Sequence, residues 1–335
     1  MKKNLSTFAL FGFAALLLTT VGCKSPLDKV GPDICPTKDF NITSDDIKIE
    51  GLNAQSQVDL STGGIKIKID FGQKLPWDLK ISSNSAQRDY SGTGDTVEIF
   101  WYGNANNLPL FSEGEVTIEV EVPCRETVKK TFTVTGAPNF ANLDPKYGML
   151  IRDWDQNGIL PVFTLDTPTA GSDGYFYGGG MKHFRYEDTV PSPMGGKYLK
   201  LEGETTEADG TWYFGANEIF NAGPTFANLP TKNADSLYFN IFVRKGLNDQ
   251  NTGLQLNFLS NGENFKYLRD ITWEGWKCIS FKMSEFVVGG SNPLKVTDNL
   301  TSLGLNLGAQ PLKAKKAEVN FDFILITVGE PFLKN

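Results

Sequence analysis

The sequence predicts an all-β protein composed of two β-sandwich domains in series. Hydrophobic and polar residues alternate over many short runs, as in residues 65–69 (IKIKI) and 116–122 (VTIEVEV). A period of two is typical of strands with one buried face. Gly, Asn and Ser clusters separate these runs at intervals of about ten residues, and no run of useful length has the period of an amphipathic helix.

The composition excludes several classes of function. The 335 residues carry a net charge of −7, so the chain lacks the Lys/Arg excess that nucleic-acid binding requires. One His stands against 24 Phe, 10 Tyr and 6 Trp, which rules out a multi-histidine metal site. A hydrophobic content of 40% with 34 Gly and 17 Pro indicates a folded, turn-rich chain and an aromatic-rich binding surface.

The first residues predict export and lipid anchoring. Lys2 and Lys3 precede an uncharged apolar run over residues 8–21, and small residues then lead directly to Cys23. This pattern resembles a bacterial lipobox, so residues 1–22 are a predicted lipoprotein signal peptide and Cys23 the predicted lipidation site. An ordinary signal peptide followed by a coincidental cysteine is the alternative. Removal of residues 1–22 takes away two lysines and changes the net charge from −7 to −9.

The remaining cysteines would lie in an oxidising compartment. Cys35 precedes the first strand and Cys124 comes near the end of the same predicted domain, so the two are candidates for a disulfide. Cys278 lies in a strand pattern and is expected to stay a thiol.

Residues 23–40 lack periodicity and predict a tether, and residues 41–136 predict a sandwich of about seven strands. Within the latter, residues 77–81, 99–103 and 114–116 resemble bacterial surface Ig-like modules, which implies a spacer. A Pro- and Asn-containing boundary follows at residues 135–148. Residues 137–335 are too long for an Ig-like module and suit a larger jelly-roll or galactose-binding-like β-sandwich.

Two strands of the second domain place polar residues on the face away from the core. In residues 237–244 the alternation predicts that Tyr238, Asn240 and Arg244 face outward, and in the next strand Gln255 and Asn257 do so. Amide and guanidinium groups provide paired hydrogen bonds suited to sugar hydroxyls. The alternative is a sheet face that is merely solvated or covered by a loop.

Aromatic residues cluster near predicted loops of the same domain. Aromatic faces offer a flat apolar surface for the C–H side of a pyranose ring. Each of these residues is also a candidate core residue. The remaining candidate carbohydrate contacts are Trp154, Tyr175, Tyr177, His183, Tyr186, Trp212 and Trp276.

Residues 153–158 (DWDQNG) match the opening of a calcium-binding loop, with Asp153, Asp155 and Asn157 as candidate ligands. The twelfth position is Thr164 instead of a bidentate Glu, which excludes an EF-hand. An Asn-Gly turn beside two surface acids explains the residues as well. No cofactor other than this structural calcium is expected.

The usual nucleophile, nucleotide and zinc-protease motifs are absent from the sequence. Two acid pairs, Glu202 with Glu204 and Glu187 with Asp188, leave glycoside hydrolysis open, since that reaction needs two carboxylates about 5–9 Å apart. We nevertheless expect a non-catalytic protein.

Together, the lipobox, the tether, the Ig-like module and the second β-sandwich resemble the surface glycan-binding lipoproteins of polysaccharide utilisation systems in Bacteroidota. The second domain looks most like their terminal carbohydrate-binding-module-like domain, through residues 152–158, 195–201, 212–214, 240–244 and 320–326. The resemblance implies a protein lipid-anchored in the outer membrane and facing the cell surface. It would hold a polysaccharide or oligosaccharide near an outer-membrane glycan transporter complex. A purely structural or adhesin role is the alternative.

Overall fold

The computed structural model describes residues 35–37, 39–154, 182–186, 191–195, 197–204, 213–221, 228–246, 252–297, 299–309 and 316–334. These ranges contain strands, turns and 3-10 helices of three residues each, which confirms the all-β prediction. The 3-10 helices are Ser44–Asp46, Leu60–Thr62, Phe140–Asn142, Ala234–Ser236 and Met283–Glu285. Across the described ranges, no helix is long and apolar enough to cross a bilayer.

The first domain has six described strands in one sheet, against about seven expected. Their order is β1-β3-β5-β6-β2, and β4 pairs along β3. The register of the β3–β4 pair shifts between Asp70 and Leu75, so the first half of β3 pairs with β1 and the second half with β5. The strands are β1 (Lys48–Ile49), β2 (Gln57–Asp59), β3 (Ile65–Ser82), β4 (Gln87–Trp101), β5 (Gly114–Glu121) and β6 (Val128–Thr135).

The alternating pattern of β3 gives the burial that the sequence predicted. Ile65, Ile67 and Ile69 are buried in the core of the first domain. The lysines between them lie on the outer face, where Lys66 Nζ is 3.3 Å from a carboxylate oxygen of Glu98. The period of two therefore separates a core face from a charged face within one strand.

The predicted disulfide is present. Cys35 and Cys124 are joined, with their Cα atoms 5.6 Å apart. Arg125, next to Cys124, donates from Nη2 to the Thr37 carbonyl at 2.7 Å and from Nε to the Phe40 carbonyl at 3.4 Å. The segment before β1 is thus fixed to the turn after β5.

The described strands of the second domain form two sheets, and none of these strands belongs to both. The docking sheet, so named because its outer side contacts the first domain, has the order β14-β11-β18-β9-β8, with β7 also paired to β18. The distal sheet has the order β10-β17-β12-β13-β15-β16. The strands are β7 (Gly148–Arg152), β8 (Lys182–Tyr186), β9 (Tyr198–Glu204), β10 (Tyr213–Asn221), β11 (Leu237–Lys245), β12 (Thr252–Ser260), β13 (Glu263–Asp270), β14 (Lys277–Lys282), β15 (Val287–Val288), β16 (Asn292–Pro293), β17 (Leu300–Ala309) and β18 (Lys316–Val328).

The core of the second domain lies between these sheets. Phe239 of the docking sheet packs edge-on against Phe258 of the distal sheet, with ring centroids 5.8 Å apart. The same core includes Leu254 and Leu256 from β12 and Leu305 from β17, all of them buried. Because the inward residues of both sheets meet here, the outer sides of the two sheets face in opposite directions.

A third apolar cluster joins the two domains. It combines Tyr102 of the first domain and Phe140 of the connection with residues on the outer side of the docking sheet, including Phe242 and Phe323. Phe332, which follows β18, is completely buried within it. The outer side of the docking sheet is therefore largely a domain interface.

Candidate functional site

The polar residues predicted on one sheet face lie on two opposite faces. The sequence correctly predicted which side chains of β11 and β12 face the core, as the burial of Phe239 and Leu256 shows. However, β11 belongs to the docking sheet and β12 to the distal sheet. The expectation of a single polar face is wrong because side-chain alternation does not reveal which sheet a strand joins.

Asn240, on the docking sheet, is fully buried and its amide is used by the fold. Its Nδ2 donates to the carbonyl of Leu325 at 3.0 Å and to Thr327 Oγ1 at 3.1 Å. Its Oδ1 accepts from the backbone N–H of Phe332 at 2.9 Å. The expected exposure of Asn240 is therefore corrected: this amide supports the segment after β18. Its strand neighbour Tyr238 is half-buried.

Arg244 and Trp276 were both predicted as ligand contacts, and the structure brings them together. The Arg244 guanidinium carbon lies 5.5 Å from the Trp276 ring centroid and 5.6 Å from that of Tyr198. Its Nη2 donates to the Tyr198 hydroxyl at 3.0 Å. Arg244 is only 1% exposed and Trp276 is half-buried. The two rings contact each other edge-on, with centroids 5.0 Å apart, and the arginine lies beside both of them, where cation–π attraction is strengthened by desolvation.

Tyr198 was not predicted as a ligand contact, although the sequence pattern around it indicates an outward-facing side chain. Tyr198 alternates with Leu199 along β9, which places its ring on the side away from the core. On the same outer side, buried Ser192 donates from Oγ to Asp322 Oδ2. These residues make a compact polar and aromatic cluster on the docking sheet.

The outer side of the distal sheet carries a row of amides. Gln255 of β12 is paired in register with Asn306 of β17, and Asn306 in turn lies opposite Asn217 of β10. Asn306 Nδ2 donates to the Gln255 carbonyl at 3.0 Å. Gln255 and Asn306 are only 7% and 3% exposed. Asn306 faces outward because Leu305 and Leu307 on either side of it are buried in the core, and the strand register places it beside Gln255.

Asn257 lies next to this row and has unused hydrogen-bonding capacity. Its Oδ1 is buried and has no hydrogen-bond partner in the described part of the chain. Gly304 lies opposite it in register, and a Cβ at that glycine would come within 3.4 Å of Asn257 Nδ2. The glycine therefore leaves room for the amide to lie across β17.

The amide row is bordered by β13. Leu268, opposite Gln255 in register, is 55% exposed, and Lys266, opposite Asn257, is also exposed. The surface thus passes from buried amides to an apolar and a cationic side chain. Such a surface can donate and accept hydrogen bonds in an ordered row while also contacting an apolar patch.

Trp154, also predicted as a ligand contact, is a core residue. Its side chain is 0% exposed and packs between the two sheets, and the Arg152 guanidinium carbon lies 5.7 Å from its ring centroid. The chain has only just left β7 at this point. Of the two alternatives open for Trp154, ligand contact or core residue, the structure shows the core residue.

Several other candidates lie outside the described residues or are described through the backbone alone. In the first group are Cys23, Tyr175, Tyr177, Trp212, Asp155 and Asn157. His183 and Tyr186 belong to β8, where His183 lies opposite Leu201 and Tyr186 opposite Tyr198 in register. Asp153 is 5% exposed, and the described residues contain no cluster of three or more acidic, histidine or cysteine side chains arranged for a metal ion. The calcium loop stays a prediction.

The carboxyl groups with shifted pKa values lie in the first domain, as far as the described residues go. The pKa of Glu119 is lowered by hydrogen bonds from Lys129 and Lys80, and that of Glu50 by Lys68. A general acid of a glycosidase requires a raised carboxyl pKa. These groups therefore have the electrostatics of surface ion pairs instead of catalytic acids.

No protein-family model matches this chain, and no curated protein matches it. Among solved structures, a surface glycan-binding protein of Prevotella bryantii is similar at 12% identity and a TM-score of 0.40, over 81% of this chain and 74% of that one. A family 11 carbohydrate-binding module of Clostridium thermocellum is similar at 14% identity and a TM-score of 0.35, over 57% and 99% of the two chains. The xylan-binding domain CBM22-1 of Paenibacillus barcinonensis Xyn10C is similar at 15% identity and a TM-score of 0.30, over 55% and 97%. At such scores the similarities carry no functional argument.

Proposed function

We propose that this protein binds a neutral polysaccharide or oligosaccharide on the outer side of the distal sheet, without catalysing a reaction on it. The observation that carries the proposal is the buried amide row with the unmatched Oδ1 of Asn257 beside it. More than about 90% of buried polar groups in proteins are hydrogen-bonded. An unmatched buried acceptor among other amides is therefore a position where a hydroxyl of a ligand would donate.

The spacing of the row suits a chain of sugar units. Asn306 and Gln255 lie on two neighbouring strands, and neighbouring strands are about 4.8 Å apart. Each amide offers both donors and an acceptor, as hydroxyl groups require. Leu268 adds an apolar contact at one end of the row.

Amides carry no charge, so the row itself favours a neutral glycan over an anionic one. The exposed ammonium of Lys266 lies at the border of the row, opposite Asn257. The aromatic residues Tyr175, Tyr177 and Trp212, together with His183 and Tyr186, stay candidate stacking contacts. We place Arg244 and Trp276, on the opposite side of the sandwich, in a second and separate cluster.

The cellular role rests on the sequence pattern. Lipidation at Cys23 would anchor the protein in the outer membrane with its sandwich domains at the cell surface. Bound glycan would then be delivered to a transporter complex and to degrading enzymes. A glycan-degrading enzyme and a structural or adhesin protein are the competing functions, and both are outcomes of the test below.

The test is affinity electrophoresis of residues 24–335 in gels that contain single polysaccharides, followed by calorimetry with oligosaccharides. Mixed-linked β-1,3-1,4-glucan and xylan are the first probes, since both are largely neutral polysaccharides whose sugar units present hydroxyl groups to an amide surface. We expect retardation by at least one neutral glycan and no release of reducing ends. Product release would favour the enzyme, and migration unchanged by every glycan would refute binding.

Variants then locate the site. Asn257→Ala and Gln255→Ala should each weaken binding about fivefold, which corresponds to about 1 kcal/mol for one lost hydrogen bond. Asn292→Ala is the matched control, because Asn292 is an exposed amide on the edge strand β16 of the same sheet. Equal affinities for all three variants and the wild type would show that the glycan binds elsewhere, and Trp276→Ala would then test the docking-sheet cluster.

A further inference from the structure

Residues 329–334, which we name the clasp segment, lie between the two domains. Gly329 begins the segment with a φ of +82°, a left-handed conformation that glycine adopts readily. Its backbone N–H donates to the Ser236 carbonyl of the second domain at 2.9 Å. From this turn the chain continues toward the first domain.

Arg88 is the main contact of the clasp segment in the first domain. It lies on β4 and its side chain is 0% exposed. Its Nη2 is 2.9 Å from a carboxylate oxygen of Glu330 and donates to the Pro331 carbonyl at 3.4 Å. Its Nη1 donates to the Phe332 carbonyl at 3.2 Å. Three successive residues of the segment thus converge on one buried guanidinium.

Phe332 connects both domains through its backbone. Its carbonyl accepts from Arg88 and also from Asn104 Nδ2 at 3.1 Å, and both donors belong to the first domain. Its N–H donates to Asn240 Oδ1 of the second domain at 2.9 Å. One residue is therefore hydrogen-bonded on either side of the domain boundary.

The Phe332 ring fills the apolar centre of the same interface. It is parallel to the ring of Tyr102 at 6.1 Å between centroids and lies edge-on to Phe140 at 5.4 Å. It also contacts Phe323 at 5.4 Å and Phe242 at 6.3 Å on the docking sheet. The side chain is completely buried, so its apolar surface stabilises only the arrangement in which the domains are docked.

Lys334 extends the contact along the first domain. Its Nζ donates to the Asp89 carbonyl and lies 4.4 Å from the centroid of the Tyr90 ring. It is also 3.6 Å from a carboxylate oxygen of Glu330. Polar contacts with the first domain therefore occur at Glu330, Pro331, Phe332 and Lys334.

We propose that the clasp segment locks the two domains in one fixed orientation, so that the first domain is a rigid mount for the second. If the domains separated, Arg88 would lose its carboxylate partner and Phe332 would lose its aromatic surroundings at the same time. The guanidinium of this ion pair is fully buried, whereas the carboxylate is 33% exposed. The outer side of the distal sheet is consequently held on the far side of the sandwich from the first domain.

The test compares residues 24–335 with three variants, Arg88→Met, Phe332→Ala and Glu330→Gln, by small-angle scattering and scanning calorimetry. For the wild type we expect the scattering of one rigid particle and a single cooperative thermal transition. The variants should give the scattering of two hinged bodies, two separate transitions and faster proteolysis between residues 136 and 147. Glu330→Gln is the mildest change, and far-UV circular dichroism verifies that each variant keeps its β structure.

The control is Phe111→Ala. Phe111 is 2% exposed in the core of the first domain, edge-on to Trp101 at 4.8 Å, and lies in a different cluster from Phe332. This variant should lower the temperature of a single transition without splitting it. Two independent transitions in the wild type, or rigid scattering and one transition in all three clasp variants, would overturn the proposal. Neither scattering nor calorimetry depends on a glycan, so failure of the clasp proposal can be distinguished from failure of the proposed function.

Discussion

Loss of the disulfide should destabilise the first domain by an amount that the structure allows us to bound. The perturbation is the double substitution Cys35→Ser with Cys124→Ser. The cysteines are 89 residues apart in sequence, and the chain-entropy relation for a loop of this length gives about 4.6 kcal/mol at 25 °C. That value is an upper bound, because Arg125 still binds the carbonyls of Thr37 and Phe40 in the variant. We therefore expect a loss of about 2–4.6 kcal/mol.

Urea unfolding followed by tryptophan fluorescence measures this loss, since Trp101 lies in the core of the same domain. The control is Cys278→Ala, which removes a buried cysteine outside the disulfide and leaves the Cys35–Cys124 bond intact. Thiol titration in denaturant without reductant should count one thiol in wild-type residues 24–335. Three titratable thiols in the wild type, or a loss below about 1 kcal/mol in the double variant, would refute the reasoning.

Three further predictions concern single residues. Burial raises the pKa of Cys278 to about 12, so iodoacetamide at about pH 9 should leave this thiol unmodified until urea unfolds the protein, and rapid labelling of the native state would contradict its burial. Hydrogen bonds from Lys129 and Lys80 lower the pKa of Glu119. A lowered carboxyl pKa stabilises the fold above the unfolded-state pKa, and this stabilisation is lost as the pH falls through the native-state pKa, so Glu119→Gln should flatten the loss of stability between about pH 5 and pH 3 in urea unfolding. Phe239 is fully buried among three phenylalanine rings, and Phe239→Ala should cost about 3–5 kcal/mol in chemical unfolding, with less than about 1 kcal/mol arguing against this packing.

Strand phase could be predicted from the sequence because it is a local property. Alternation over residues 65–69 was enough to assign Ile67 to a core and Lys66 to the opposite face, as the structure has them. The disulfide could also be predicted from the sequence, because that prediction required only two cysteines near the ends of one predicted domain. These inferences use neighbours in sequence and a period of two.

Sheet membership could not be predicted, since it depends on pairing between distant segments. β11 pairs with β14 and β18, and β12 pairs with β13 and β17. Consecutive strands of a sandwich can pass from one sheet to the other, and nothing in their alternation records the change. The amides of Asn240 and Asn257 were consequently assigned to one surface, although they lie on opposite sides of the sandwich.

The same two residues show what distinguishes a structural amide from a candidate ligand contact. Both face outward from a strand and have an apolar residue on either side; Asn240 is fully buried, and Asn257 is half-buried with its Oδ1 buried. Asn240 uses its donors and its acceptor on Leu325, Thr327 and Phe332. The Oδ1 of Asn257 has no such partner among the described residues. Burial of a polar atom without a hydrogen bond costs about 1–3 kcal/mol, and a ligand hydroxyl that donates to Asn257 Oδ1 would remove that cost. The Oδ1 of Asn240 offers no such gain, because it already accepts from the N–H of Phe332 at the domain interface.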